Sequence, residues 1–357
     1  MSLRSVLSRR LDEAQRPVGQ TPSDVVARDS HVRLLRYREG ARPRRFKTPV
    51  LLVPSLINRH YVLDLLPQRS LIEFLVQAGH DVFLIDWGEP PAEARFLDLD
   101  AIAGRIISRA VREARRLSGA DSVHLLGYCM GGTLTAIHAA AFPEGIASLT
   151  ALAAPVAFDD AGLLGRFTRT RSFDVHSLVA AFGNVPWPLL QLSFHMLRPT
   201  LSLAKGAHLL DRFWEDASLD GFFALERWSN DNVALPGAFY IDYIERLYRG
   251  DELMRGTLTL EGRPVRMEAL EMPLLVLTFQ GDAIVPEACA KPLYERAASA
   301  DKTLHSLAGG HVGAVVSRAA SRGLWPVLSE FWATRDGAVV STSADARAAH
   351  DHVDGRT

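Results

Sequence analysis

The chain has 357 residues, 40 Lys plus Arg against 41 Asp plus Glu for a formal charge of −1, and 48% apolar residues. The near-neutral balance removes the electrostatic drive that binding a nucleic-acid backbone requires, and the apolar half rules out disorder throughout while allowing one large core or two modest ones. Two cysteines, Cys129 and Cys289, cannot build a disulfide framework and lack the clustered spacing of a zinc site, which points to a reducing cytoplasm.

The first residues, MSLRSVLSRRLDEAQRPVGQ, place Arg4, Arg9 and Arg10 where a secretory signal needs an unbroken apolar stretch. Residues 1–47 hold twelve Lys or Arg against five Asp or Glu. Residues 1–29 therefore read as a flexible, solvated basic segment, with docking to an anionic partner or surface as the sharper alternative. Two long stretches lack charge, residues 122–143 and 176–197, but Gly and Pro interrupt both, so neither is read as a membrane span.

From residue 48 short apolar runs alternate with helical patterns. TPVLLVPSL predicts a buried strand, SLIEFLVQAG an amphipathic helix, HDVFLIDWG a second strand, and LDAIAGRIISRAVREARRLSG a long helix. DSVHLLGYC predicts a third strand, GGTLTAIHAAAFP a helix ended by Pro143, and ASLTALAAPV a fourth strand. Strands that are nearly continuous in apolar residues and alternate with helices indicate an α/β core with a mostly parallel sheet covered on both faces. The rhythm stops after Pro155 and returns at PLLVLTFQGD, followed by a helix around residues 288–300, the segment KTLHSLAGGHVG and a last helix in SRGLWPVLSEFWA. The catalytic core is thus assigned to residues 30–155 and 271–335, and the mostly helical residues 156–270, with Trp187, Trp214 and Trp228, to a cap over the strand ends. Residues 336–357 are small and polar and read as a disordered tail.

The strongest local signal is DSVHLLGYCMGGTLTA, where a strand runs through Gly127-Tyr128-Cys129-Met130-Gly131 into a helix. A nucleophile elbow has this form: a strained turn projects the central side chain, and small neighbours let strand and helix approach. Cys129 is the candidate nucleophile, and the backbone N–H of Met130 a candidate oxyanion donor at the helix N-terminus. The α/β-hydrolase order then requires an acid and a histidine downstream. Asp282, in a Gly-Asp turn after the returning strand, and His311, in the Gly-rich loop SLAGGHVGAVV, fit that order. His311 would accept the thiol proton and later activate a hydroxyl, with Asp282 fixing its tautomer. The second oxyanion donor is assigned to the backbone N–H of Leu56, with Ile57 the near alternative, while Cys289 and His305 read as structural.

With these pieces placed, residues 24–333 resemble the polyhydroxyalkanoate synthases, which polymerise 3-hydroxyacyl-CoA thioesters. The likeness lies in PSLINRHYVLDLLPQRSLIEFLVQAGHDVFLIDWG, GYCMGGT, FGNVPWPLLQLSFHMLRP, GDAIVP and GGHVG, and most specifically in the elbow cysteine and the INRHYVLDL segment. It implies that Cys129, Asp282 and His311 are catalytic, and that the substrates are acyl-CoA and the growing polyester. It further implies no cofactor beyond that thioester, and action at the surface of polymer granules in the cytoplasm, as a homodimer or hetero-oligomer. The length resembles the short, two-subunit class III type, which implies a second, non-homologous synthase subunit, although WSNDNVALPGAFYIDYIERLY is more similar to the long synthases. A polyester depolymerase or acyl-CoA thioesterase with the same Cys-His-Asp triad is the alternative reading.

Overall fold

In the computed structural model, residues 3–37, 44–159, 163–170, 172–197 and 219–336 are described; the expected tail beyond residue 336 and the part of the cap that carries Trp214 lie outside them. Eight strands form one sheet: β1 (Ser23–Asp29), β2 (Val32–Tyr37), β3 (Val50–Val53), β4 (Val82–Asp86), β5 (Val123–Tyr128), β6 (Ile146–Leu152), β7 (Leu274–Phe279) and β8 (Lys302–Leu307). Their order across the sheet is β1-β2-β4-β3-β5-β6-β7-β8. The pairs from β4 to β8 are parallel, with Val50 opposite both Val82 and His124, and Leu274 opposite both Leu149 and Lys302. At the other edge β1 and β2 form an antiparallel hairpin, and β2 pairs antiparallel with β4 through Arg33↔Asp86 and Tyr37↔Val82.

Besides a single helical turn at Glu252–Arg255, the described helices are α1 (Leu3–Ala14), α2 (Leu71–Ala78), α3 (Ile107–Ser118), α4 (Met130–Ala141), α5 (Leu163–Thr168), α6 (Val175–Phe182), α7 (Trp187–Leu197), α8 (Asp220–Asn230), α9 (Gly237–Asp242), α10 (Glu287–Arg296), α11 (Gly313–Val316) and α12 (Leu324–Ala333). Every residue of β3, β4, β5 and β7 is buried, as their unbroken apolar runs require of strands covered on both faces. The two-residue period of a strand divides them between two cores. Leu51, Val53, Phe83 and Leu125 join α3 and α4 on one face, while Val50, Leu52, Val82 and Leu126 join α2 and α12 on the other. Fully burying each such Leu, Val or Phe contributes about 1.5–3 kcal/mol.

Local chemistry sets the helix ends. Ser70 caps α2 by accepting from the Glu73 N–H at 2.8 Å, and Gly79 ends it in the left-handed region at φ 97°. A π-helical stretch, Asp100–Ile106, leads into α3 and completes the long helix expected there.

Within residues 1–29, expected to be flexible, the structure has α1 and β1. Val6, Arg10 and Glu13 of α1 are buried, the Arg10 and Glu13 side chains pair at 2.8 Å, and Glu13 also accepts from the Leu219 N–H beside α8. Seven residues of β1 then extend the sheet, so the segment is held by a backbone ladder as well as by packing. The cap also ends before residue 270. Leu258, Leu260, Val265, Met267 and Leu270 are at most 1% exposed and lie in the same core as α4, so the chain has rejoined the body of the protein by then. Among the described residues no helix is long and apolar enough to cross a membrane.

Candidate active site

The elbow is formed where β5 ends and α4 begins. Cys129 sits between them with φ 57° and ψ −127°, a strained conformation for a residue with a side chain. Its N–H donates to the Leu152 carbonyl at 2.9 Å, and its carbonyl accepts from the Gly132 N–H at 2.8 Å, so the turn is pinned on both sides. The motif glycines are required by contact. A Cβ on Gly127 would lie 2.2 Å from Thr135 Oγ1, and one on Gly131 would lie 2.0 Å from the Val53 carbonyl oxygen.

The other two predicted residues converge on this turn from loops after β7 and β8. Those loops are tied together, because the Gly281 N–H donates to the Gly309 carbonyl at 2.9 Å and the Gln280 N–H to the Leu307 carbonyl at 3.0 Å. The Asp282 side chain is fully buried, and its Oδ1 accepts from the N–H groups of Ile284 and Val285, both at 2.8 Å. Its Oδ2 faces His311 Nδ1 at 2.6 Å, which leaves Nε2, on the other edge of the ring, for the neighbouring Cys129 side chain. Burial disfavours charge on His311, but its interactions with Cys129 and Asp282 outweigh it and push the imidazole up to about 10.

Tyr128, read in sequence only as part of the elbow, supports the histidine. Its ring stacks on His311 with centroids 5.4 Å apart, and its hydroxyl donates to the His311 carbonyl at 3.1 Å. Burial first, then the nearby charges of Cys129 and Asp282, push the Tyr128 phenol well above its ordinary value, so it remains a neutral donor. His305, on β8, is exposed and takes no part in this arrangement.

Cys129 opens into a cavity of about 150 Å³ beneath the cap. Phe158, Phe167, Tyr240, Tyr243 and Tyr248 supply an aromatic wall, drawn from α5, α9 and the chain around them. Ile57 and Met130 line the cavity next to Cys129, whereas Leu56 lines a separate, smaller cavity with Trp87 and Ile102. Cys289 also lines the cavity. It is buried near the start of α10, and its carbonyl accepts from the N–H groups of Val156 and Ala157 at 2.8 and 3.0 Å. Its packing role is therefore to anchor the chain that enters the cap, a long-range pairing with no signature near residue 289.

Cys129, His311 and Asp282 gathered at a strand–elbow–helix, in an eight-stranded sheet of this order, define an α/β hydrolase. The family model described as "alpha/beta hydrolase fold" matches residues 48–316. The fold is shared with a candidate lipase of Sulfolobus solfataricus (TM-score 0.59, 13% identity, 88% of this chain and 93% of that one). It is shared too with an esterase of Thermogutta terrifontis (TM-score 0.50, 16% identity, 89% and 100%). Within that class the chain belongs to the poly(3-hydroxyalkanoate) polymerase family. Residues 7–75 match the model described as the "Poly-beta-hydroxybutyrate polymerase (PhaC) N-terminus". The chain is 37% identical over 320 residues to the poly(3-hydroxyalkanoate) polymerase subunit PhaC of Haloferax mediterranei, covering 89% of this chain and 65% of that one. The proteins of the same name from Synechocystis and Allochromatium vinosum are 32% and 31% identical, with 91% and 88% of this chain and 88% of each relative covered.

Proposed function

We propose that the chain polymerises (R)-3-hydroxyacyl-CoA into polyhydroxyalkanoate with release of CoA, through a thioester on Cys129. The observation that carries this reading is a cysteine at the elbow, where the hydrolase pattern has serine, set beside His311 and facing an aromatic-walled cavity in a chain of the polymerase family.

His311 takes the Cys129 proton, the thiolate attacks the acyl carbonyl of the CoA thioester, and the N–H groups of Met130 and of Leu56 or Ile57 face the developing oxyanion. Ile57 shares the cavity wall with Cys129, while its N–H donates to Ser55 Oγ at 3.4 Å. When the tetrahedral intermediate collapses, the C–S bond to CoA breaks and the imidazolium protonates the departing thiolate. Acylation also removes the negative charge that lifts His311, so the ring returns toward neutrality when it must act as base. It then accepts the proton of the 3-hydroxyl of a second monomer or of the growing chain, and that oxygen attacks the acyl-Cys129 carbonyl. An ester forms and the Cys129 thiolate leaves.

Exchange of one thioester for another is close to neutral and keeps the acyl group activated. A serine ester would dissipate most of that driving force before elongation. Burial of His311 and Asp282 and the aromatic cavity keep competing water away from the acyl group. No group beyond the CoA thioester is needed for these steps. Action at the granule surface and a second, non-homologous subunit complete the proposal.

The test is incubation of the purified chain with 3-hydroxybutyryl-CoA, alone and with a candidate second subunit. CoA release with insoluble polyester is expected. CoA release with only soluble 3-hydroxybutyrate would identify a hydrolase instead.

A further inference from the structure

The basic N-terminal segment contributes to a second cavity. A space of about 340 Å³ is enclosed by Arg16 and Gln20 after α1, Gln68 and Arg69 in the turn between Asp64–Leu66 and Arg69–Ser70, Asp220 at the start of α8, and Arg318 just after α11. Three guanidiniums face one carboxylate. Asp220 pairs with Arg16 at 2.8 Å and lies 3.8 Å from Arg69. Arg318 has no carboxylate partner among the described residues, and its charge works against that of Arg69. Glu73 accepts from the Gln68 N–H at 3.0 Å and does not line the space. Asp220 and Arg69 are 10% and 20% exposed, so this pair is held on the framework, while Arg16 and Arg318 reach the space from the surface.

We propose that this cavity binds a phosphate group. Its two uncompensated positive charges match a phosphate dianion, and guanidinium forks suit the spacing of phosphate oxygens. The space exceeds one phosphate and admits a diphosphate, so inorganic phosphate and the phosphorylated end of CoA share the chemistry it selects. Such a ligand would bridge the N-terminal segment to the chain that follows the His311 loop, because Arg318 lies seven residues beyond His311. The site does not depend on the polymerase reading.

Isothermal titration of the full chain with inorganic phosphate, and separately with CoA, at constant ionic strength tests it against Arg318→Gln and Arg69→Gln/Arg318→Gln. Arg318 is exposed and unpaired, so its replacement leaves folding intact, to be checked by circular dichroism. Phosphate binding to the wild type weakened at least about tenfold in Arg318→Gln is expected, as for loss of one charge-assisted contact. If CoA alone binds and loses affinity in the same way, the site is confirmed with CoA as the source. Equal binding by wild type and both variants, or no binding of either ligand, overturns the proposal.

Discussion

Cys129 combines reactivity with strain: a cysteine held at φ 57° costs about 1–3 kcal/mol, supplied by the surrounding hydrogen bonds. Its geometry tolerates serine, but the chemistry changes, because an alkoxide must be generated and the thioester is lost. Cys129→Ser should therefore fold with an unchanged melting temperature while CoA release falls by about two orders of magnitude or more. A wild-type rate in that variant would remove sulfur from the mechanism. Asp282 holds its place through two N–H donors and needs its second oxygen for His311. Asp282→Asn should preserve the loop and lower turnover by about 10³–10⁴-fold, by favouring the wrong imidazole tautomer, measured as the rate of CoA release.

At the level of elements, the elbow depends on how closely β5, α4 and β3 approach. Gly131→Ala would place a methyl 2.0 Å from the Val53 carbonyl, a backbone atom that cannot rotate away. A loss of about 1–3 kcal/mol follows, or more, seen as a lower urea midpoint with activity falling alongside it. This elbow and the six strands from β3 to β8 were legible in sequence because strand and helix periods are local. The relay was legible too, since the chain order of Cys129, Asp282 and His311 suffices to propose it. The β1–β2 hairpin was not: β1 reads SDVVARD with its outer face exposed, a pattern too polar to separate from a solvated segment. Nor was the aromatic wall, because Phe158, Phe167 and Tyr243 meet only after the cap folds back.

The whole molecule carries its pH sensitivity in buried histidines away from the cavity. His80, His124 and His138 are 4%, 1% and 2% exposed. Trp332 of α12 packs between the first two, with ring centroids 5.7 and 6.3 Å away, while His80 and His124 bond to Ser329 and Ser148, each at 2.8 Å. Burial, reinforced by Arg45 for His80 and by His80 and Arg335 for His124, lowers them to about 4 and about 3. Burial also outweighs the Ala103 hydrogen bond and lowers His138 to about 4. In the unfolded chain each takes up a proton near 6.5, whereas the folded protein resists until pH 4 or below. At these three sites the unfolded state therefore binds more protons throughout that interval, so their contribution to stability is full above about pH 6.5 and declines as pH falls toward 4. Each tenfold loss of proton affinity on folding corresponds to about 1.4 kcal/mol. Urea midpoints should fall steeply from about pH 6.5 to 4.5, with His80→Gln showing a shallower fall. A midpoint independent of pH across that range would mean that these imidazoles are already protonated in the folded protein.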